Sequence, residues 1–258
     1  MSKKVMVQFF YDRPDIYGDM AKDAINSFKH FHPDVDVFVN TETLKPKLVA
    51  GVNKIGWTYK NAIGGNYDKV ISLGCDTITL SRLDEFMDDD ETDVLATFDY
   101  NYPLVQAPLI IPANRHVNAD VVCFNNLDAL RDMIKASPKY SDTTKWNQCY
   151  HEQAGLNEVL LHGPYSSKIV DRDAPAPYYN VGAKAAPSVA AMSPDRFSSF
   201  TLEDNKIMTP EGRQIKLWHY CEGFGTKEAK QVKDRVYHIK REFSEHVQAF
   251  MREVGVDI

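Results

Sequence analysis

The stretch that decides the fold is NYDKVISLGCDTITLSRL, residues 66–83. Val70 to Leu73 form a short apolar run after turn residues, which is typical of a strand buried on both faces in a parallel sheet. Gly74, Cys75 and Asp76 follow that run. Because open α/β sheets bind ligands beyond the carboxyl ends of their strands, Asp76 is expected to hold a metal or a phosphate-bearing ligand. A capping or solubilising aspartate would give the same local pattern.

The chain before this stretch has a β-α-β pattern. VMVQFFY, residues 5–11, predicts a strand, residues 16–31 have helical apolar spacing, and VDVFV, residues 35–39, predicts a second strand. Such a unit is right-handed and parallel when both strands share a sheet. No GxGxxG follows the first strand, so the dinucleotide-binding fingerprint is missing. Tyr11 and Asp12, at the strand end, either contact a nucleobase or form a core edge and a turn.

The rest of the chain continues to alternate between predicted strands and helices. The predicted strands are 94–98, 121–124 and 215–220, and the predicted helices are 54–63, 127–136, 146–161 and one or two within 228–254. A short helical turn is expected at 83–87, and the Pro- and Ala-rich residues 174–187 are expected to be irregular. No internal repeat or low-complexity linker interrupts this order. The sequence therefore predicts an α/β protein in which residues 1–258 form a single domain.

Composition places the protein in an ordinary soluble class. Its formal charge of −6 argues against a broadly basic nucleic-acid-binding surface. The four cysteines, Cys75, Cys123, Cys149 and Cys221, form no CxxC pair and are interpreted as free thiols of a reducing compartment. The N-terminal residues lack the apolar region of a signal peptide, and no run approaches the about 20 apolar residues of a membrane span. We therefore expect a cytoplasmic protein without a membrane anchor.

Three separated groups of residues point to one kind of site. Asp76 ends one strand, Asn118 and Asp120 lie just before another, and His219 ends a late strand before GFGTK, residues 223–227. An aspartate and a histidine suit a divalent cation such as Mn²⁺ or Mg²⁺, with diphosphate oxygens completing the coordination shell. The backbone N–H groups of the glycine loop and Lys227 suit the negative charge of a diphosphate.

With these motifs in order, the sequence resembles the GT-A glycosyltransferases, and most of all family 8, the glycogenin and lipopolysaccharide galactosyltransferase group. Where that family has YDKVLYLDADTLVLGDLDELF, this chain has YDKVISLGCDTITLSRLDEFM, residues 67–87. FNAGVMLFN corresponds to VNADVVCFN, residues 117–125, and DQDALN corresponds to EQAGLN, residues 152–157. The late HFxGxxKPW corresponds to HYCEGFGTK, residues 219–227. The resemblance runs from Val5 to about Lys227.

The resemblance implies a Rossmann-like GT-A fold, with a mainly parallel central sheet flanked by helices. Residues 1–100 would form the nucleotide-sugar-binding half, 101–227 the acceptor half, and 228–258 the C-terminal helices.

The resemblance also implies a role for each matching residue. Asp76 and His219 would bind Mn²⁺ or Mg²⁺; Glu152, Gln153 and Asp120 would serve the sugar, the anomeric carbon and the acceptor. The residues that would contact the donor are Tyr11, Asp12, Lys60, Asp76, Asn118, Gly223, Gly225 and Lys227.

Three departures from the family pattern are visible. Gly74 stands where the first carboxylate of the DxD motif is expected, Asp120 replaces a usual glycine, and the Pro-Trp that ends the last motif is missing. The implied function is a retaining hexosyl- or pentosyltransferase that moves a sugar from a nucleotide sugar, expected to be a UDP-sugar, to a hydroxyl group. Because of Gly74, a weakly active or inactive nucleotide-sugar-binding protein is the first alternative.

A phosphatase with Asp76 as nucleophile is the second alternative. The sequence Asp-Thr-Ile-Thr at residues 76–79 fits such an enzyme, but the motif is late in the chain and the companion aspartate is absent.

The acceptor is left open by the sequence. Lysines and arginines between residues 227 and 241 make the C-terminal region locally basic, which fits either a solvated helix face or a surface that meets a polyanion. A glycan and a hydroxymethylated DNA base, which would have to be flipped out of a duplex, both remain candidate acceptors.

Overall fold

The computed structural model describes residues 3–11, 14–41, 47–99, 115–140, 151–172, 198–219 and 240–258. Its helices are α1 (Pro14–Phe31), α2 (Lys47–Gly64), α3 (Asp84–Asp88), α4 (Leu127–Ala136), α5 (His151–His162) and α6 (Glu245–Glu253). Its strands are β1 (Val5–Phe10), β2 (Asp36–Asn40), β3 (Lys69–Gly74), β4 (Thr77–Thr79), β5 (Val94–Phe98), β6 (Val117–Phe124), β7 (Ser167–Ile169), β8 (Thr201–Glu203), β9 (Lys206–Met208), β10 (Gln214–Ile215) and β11 (Leu217–His219).

Among the described residues, six strands form the central sheet, in the order β2-β1-β3-β6-β5-β7. β1 pairs in parallel with β2 and β3, and β5 pairs in parallel with β7. β6 alone in this sheet is antiparallel to both of its neighbours, β3 and β5. The predicted mainly parallel α/β sheet is therefore confirmed, with one strand reversed in its middle.

The reversal of β6 decides where polar groups meet. The carboxyl ends of β1, β3 and β5 lie at one edge of the sheet, and the amino end of β6 lies at the same edge. That edge therefore carries Tyr11, the turn from Gly74 to Asp76, and Asp99, together with the first residues of β6. Ligands of open α/β sheets bind at such an edge.

Apolar side chains cover both faces of the sheet. One face packs with α1 and contains Val7, Phe9, Phe28, Leu73 and Val121. The other packs with α2, α4 and α5, through a cluster that contains Ile55, Val122, Leu130 and Leu156. β3 is buried along its whole length, as its apolar run predicts.

A third apolar cluster packs the C-terminal helix α6 against the short strands β4 and β11. Val247, Phe250 and Met251 of α6 pack with Trp218 and Ile78. The rings of Trp218 and Phe243 meet edge to face, with centroids 5.0 Å apart. This packing supports the small ladder of β4 and β11, in which His219 is opposite Thr77.

Several local boundaries differ from the sequence prediction. The late strand predicted at 215–220 is split, because β10 pairs with β9 whereas β11 pairs with β4, and Lys216 lies between them. β6 begins at Val117, so Asn118 and Asp120 lie within the strand instead of before it. α2 begins at Lys47, seven residues before its predicted start. β4 and β7 have only three residues each and were not predicted.

None of the helices in the described ranges is long and apolar enough to cross a membrane. Residues 174–187, the start of the helix predicted at 146–161 and residues 228–239 lie outside the described residues.

We expect Gly155→Ala to destabilise the fold, because the glycine lets α5 pack closely on the end of α4. An added Cβ would lie 2.2 Å from Ser137 Oγ and 2.9 Å from its backbone N. Such overpacking lowers the free energy of unfolding by about 1–3 kcal/mol. Gly56→Ala is the matched control: no atom lies within 4 Å of its Cβ position in α2, and it should raise stability by up to about 1 kcal/mol. Urea unfolding measures both, and equal effects of the two substitutions would contradict the packing argument.

The stability of the protein should fall as His32 becomes protonated. His32 is buried at the end of α1, its Nε2 accepts a hydrogen bond of 3.1 Å from Leu83 N, and its ring stacks on Phe28. Burial and the positive charge of Arg82 lower its pKa to about 4. The unfolded chain, with a histidine pKa of about 6.5, takes up this proton first, so stability is lost between about pH 6.5 and 4, by roughly 3 kcal/mol.

Urea unfolding at a series of pH values measures this loss. Other acids titrate in the same range, so the quantity of interest is the difference between wild type and His32→Gln. Parallel profiles for the two proteins would show that His32 does not titrate in this way.

Candidate active site at the carboxyl edge of the sheet

The structure brings Asp76 and His219 into contact, although 143 positions separate them in the sequence. His219 Nε2 lies 3.3 Å from Asp76 Oδ1, and both side chains are buried. Two local features place them: β11 pairs with β4, and Thr77 Oγ1 donates a hydrogen bond of 2.7 Å to Gly74 O across the turn that holds Asp76. Burial alone would raise the pKa of the Asp76 carboxyl. The nearby His219 and the charge of Lys54 favour the ionised carboxylate more strongly, so the pKa is lowered.

A buried lysine, Lys54 of α2, lies among the acidic side chains of this edge. Its Nζ is 2.5 Å from Asp120 Oδ1. Burial would lower the pKa of Lys54, but the negative charges of Asp120, Glu152 and Asp76 raise it above its ordinary value, so the amine is charged. Burial raises the pKa of Glu152, and the positive charge of Lys54 offsets only part of this increase.

Lys54 was missed by the sequence analysis, which selected Lys60 on the same helix. The structure places Lys60 on an exposed part of α2, six residues beyond Lys54. Lys54 shares the core-facing side of α2 with Ile55 and Thr58, both buried. A lysine at a core-facing position of an amphipathic helix is the sequence signal that would have found it.

Gln153 of α5 is held in one orientation by two hydrogen bonds. Its Oε1 accepts from Ala119 N at 3.2 Å, and its Nε2 donates to Asp99 Oδ2 at 2.6 Å. The same Asp99 oxygen lies 3.3 Å from His116 Nδ1. Asp99 therefore belongs to the site's hydrogen-bond network, and the His116 ring lies beside it; neither residue was assigned a role from the sequence.

The start of β6 is fixed from two sides. Asn157 of α5 accepts from Val117 N and donates to Val117 O, both at 3.0 Å. The ladder between β5 and β6 shifts register, from Ala96 opposite Val122 to Thr97 opposite Asn118. Such bulges redirect side chains and are common beside active sites. Asn118 Oδ1 accepts from Asp120 N at 2.7 Å, which fixes the Asn118 side chain next to Asp120.

The remaining predicted site residues fall into two groups. Tyr11 follows β1 at the same edge, is half-buried, and donates its backbone N–H to Asn40 O at 3.1 Å. Asp12, Gly223, Gly225 and Lys227 lie outside the described residues.

The chemistry of the described side chains suits a divalent cation held jointly with a ligand. Asp76 and His219 offer a carboxylate and an imidazole, and Mg²⁺ commonly takes one or two carboxylates plus substrate phosphates. Within the ranges that the structure describes, no group of three or more His, Cys, Asp or Glu side chains could hold a metal alone. The set therefore fits a cation whose remaining ligands come from a bound phosphate group and water.

Solved structures similar to this chain are glycosyltransferases. A glycosyltransferase involved in the glycosylation of the major capsid of PBCV-1 aligns with a TM-score of 0.57 at 14% identity, over 90% of this chain and 98% of its own. GlyE of Streptococcus pneumoniae TIGR4 aligns with a TM-score of 0.51 at 13% identity, over 98% of this chain and 63% of its own. The galactosyltransferase LgtC, solved with donor and acceptor sugar analogs, aligns with a TM-score of 0.48 at 16% identity, over 95% and 99%.

No family model and no curated protein sequence matches this chain. The structural similarity, spread over nearly the whole chain, confirms the architecture that the motifs imply. The chain has the GT-A glycosyltransferase fold.

Proposed function

We propose that this protein transfers a sugar from a nucleotide-sugar donor to a hydroxyl group of an acceptor. The observation that carries this proposal is the buried contact between Asp76 and His219 at the carboxyl edge of a GT-A sheet. Lys54, Glu152 and Gln153 surround the same edge. A paired carboxylate and imidazole beside a charged lysine suits the diphosphate of the donor and the cation that accompanies it.

The donor is proposed to be a UDP-sugar, bound with Mn²⁺ or Mg²⁺ between Asp76 and His219. A cation bound there would neutralise the negative charge that develops on the leaving diphosphate as its bond to the anomeric carbon breaks. Lys54, whose charge reaches Asp76, Asp120 and Glu152, supplies positive charge from the protein itself. We assign to it the donor-facing role that the resemblance gave to Lys60. A positive charge fixed before the reaction stabilises the transition state without reorganisation.

Glu152 and Gln153 are proposed to face the donor sugar. Glu152 would hydrogen-bond sugar hydroxyls, and Gln153 would lie beside the anomeric carbon as polar support. Asp99 fixes the orientation of the Gln153 amide. The Asp99 carboxylate can only accept a hydrogen bond, so the Gln153 Nε2 group, which donates, must face it. No carboxylate is assigned as a covalent nucleophile, and retention of the sugar's configuration remains a prediction from the resemblance.

The alternatives predict different products. An inactive protein of the same fold would bind UDP-sugar without turnover, and a phosphatase would release inorganic phosphate. A glycan and hydroxymethylated DNA are both kept as candidate acceptors, and transfer assays with each distinguish them.

We expect UDP-sugar and Mn²⁺ together to stabilise the wild-type protein. A ligand at a hundred times its Kd raises the free energy of unfolding by about 2.7 kcal/mol. Asp76→Asn and His219→Gln should remove the Mn²⁺-dependent part of this shift, because each replaces one cation ligand with a weaker one.

Lys54→Met should weaken donor binding at least tenfold, because it removes the site's buried positive charge. Its control is Lys22→Met, on an exposed part of α1.

Thermal unfolding with a panel of nucleotide sugars measures binding, and slow release of UDP measures turnover. Release of phosphate instead of UDP, or binding that needs neither Asp76 nor His219, would contradict the proposed function.

Gln153→Glu should destabilise the protein at neutral pH and slow transfer. The substitution brings a second carboxylate to the position where Nε2 now lies 2.6 Å from Asp99 Oδ2. Loss of the donor and the repulsion between the carboxylates lower the free energy of unfolding by about 1–3 kcal/mol. The repulsion makes the folded variant bind a proton that the unfolded chain releases. The difference in free energy of unfolding between variant and wild type should therefore narrow as the pH falls from 7.5 to 5.

Asp99→Asn in the Gln153→Glu background restores one donor and one acceptor, so the double variant should regain stability at pH 7.5. Urea unfolding at both pH values measures this. A deficit that does not depend on pH would mean that the two side chains do not share a proton.

A further inference from the structure

Two departures from the family pattern lie on neighbouring strands. Gly74 ends β3, where the family motif has an aspartate, and Asp120 lies in β6, where it has a glycine. β3 and β6 are antiparallel, and Leu73 is opposite Val121. Continuing that register by one position brings Gly74 opposite Asp120. The carboxylate that one strand lacks is therefore present on the strand beside it.

The Asp120 side chain lies next to the space that a side chain at residue 74 would need. A Cβ built on Gly74 would be 3.3 Å from Asp120 Cβ, 3.5 Å from its carboxyl carbon, and 2.7 Å from Asp76 Oδ1. Asp76 and Asp120 thus converge on the same small volume. Because protein interiors leave little free space, an aspartate at both 74 and 120 would crowd this volume.

The same volume adjoins the contact between Asp76 and His219. Asp76 Oδ1, the atom nearest to the Gly74 Cβ position, is also the atom that contacts His219 Nε2. Lys54 Nζ binds Asp120 Oδ1, and the Asp120 side chain is 23% exposed whereas that of Lys54 is 5% exposed. The Asp120 carboxylate therefore extends further toward solvent than the lysine that holds it.

We propose that Asp120 supplies, from β6, a second carboxylate for a divalent cation bound with a nucleoside diphosphate, and that it does so by accepting a hydrogen bond from a water ligand of the cation. This rests on the proposed function, and it replaces the acceptor-side role that the resemblance implied for Asp120. Direct binding by three protein side chains is not proposed, because no such group in the described residues could hold a metal. Gly74 has the complementary role of leaving room for the side chains of both Asp76 and Asp120. Lys54 fixes the carboxylate through Oδ1 and offsets its charge when no cation is bound.

The test exchanges the two residues. Mn²⁺ binding in the presence of UDP is measured by the electron paramagnetic resonance signal of free Mn²⁺ for wild type, Asp120→Gly, Gly74→Asp and the variant with both substitutions. We expect Asp120→Gly to weaken Mn²⁺ binding at least tenfold and the exchanged variant to return within about threefold of wild type. Gly74→Asp alone should lower the melting temperature, because its side chain meets Asp76 and Asp120.

Two further variants separate ligand binding from folding. Asp120→Asn keeps the size of the side chain and an oxygen for Lys54, yet it should also weaken Mn²⁺ binding. Asp128→Asn, an exposed carboxylate of α4, should leave binding unchanged. Melting temperatures without Mn²⁺ or UDP identify any variant that has lost its fold.

Wild-type affinity in folded Asp120→Asn would overturn the inference, because Asp120 would then serve only as the partner of Lys54. Failure of the folded exchanged variant to regain Mn²⁺ affinity would also overturn it. If wild type binds neither UDP nor Mn²⁺, the proposed function fails and this inference fails with it. If wild type binds UDP and Mn²⁺ but substitutions of Asp120 have no effect, this inference is rejected and the proposed function is not.

Discussion

The reversed direction of β6 is the constraint on which the site depends. In a purely parallel sheet, the first residues of this strand would lie at the edge opposite Asp76. Antiparallel pairing with β3 and β5 instead brings Asn118 and Asp120 to the edge where the other strands end. α5 then reaches the same edge, because Asn157 is hydrogen-bonded to Val117 and Gln153 to Ala119. The direction of one strand thus brings side chains from four parts of the chain together.

Buried charge is an energetic cost of this arrangement, because burial disfavours the charged forms of Lys54 and Asp76. Removing one partner of a buried ion pair costs about 3–5 kcal/mol, whereas well-packed apolar residues in place of both are often no less stable. Two well-packed leucines in place of Lys54 and Asp120 would therefore give the fold about the same stability. By contrast, Lys69 binds the carbonyl oxygens of Phe86, Met87 and Asp89 at the end of α3, which is a structural role. The buried charge of Lys54 is therefore better explained by the proposed donor binding than by folding.

The sequence predicted the parts of the fold that depend on local patterns. β1, β3, β5 and α4 follow directly from apolar runs and helical spacing, and their predicted limits agree with the structure to within one residue. The meeting of Asp76 and His219 was predicted from the metal-binding chemistry of residues at two strand ends and from the ordered motifs of the resemblance. The ladder that creates this contact has three residues in each strand, which is too short for a periodic signal.

What the sequence did not predict depends on pairing between distant segments. Lys54 is buried and Lys60 is exposed because they lie on different faces of α2, and the predicted helix began too late to show which face is buried. Residues 214–219 form one apolar pattern, yet they belong to two sheets because different partners pair with each half. Asp99 and His116 come into contact only because β5 and β6 are adjacent.

The proximity of Gly74 and Asp120 shows that a motif compared along one strand can miss a carboxylate on the next strand. A motif is compared along one strand, but a ligand meets the side chains of neighbouring strands at one point in space. Opposite residues of an antiparallel pair have Cβ atoms about 4.5–5.5 Å apart, so either strand can deliver a carboxylate to nearly the same place. A missing carboxylate in a strand motif is therefore evidence of lost chemistry only when the adjacent strand has also been examined. Here the adjacent strand carries an aspartate beside the glycine, and Lys54 holds that aspartate in position.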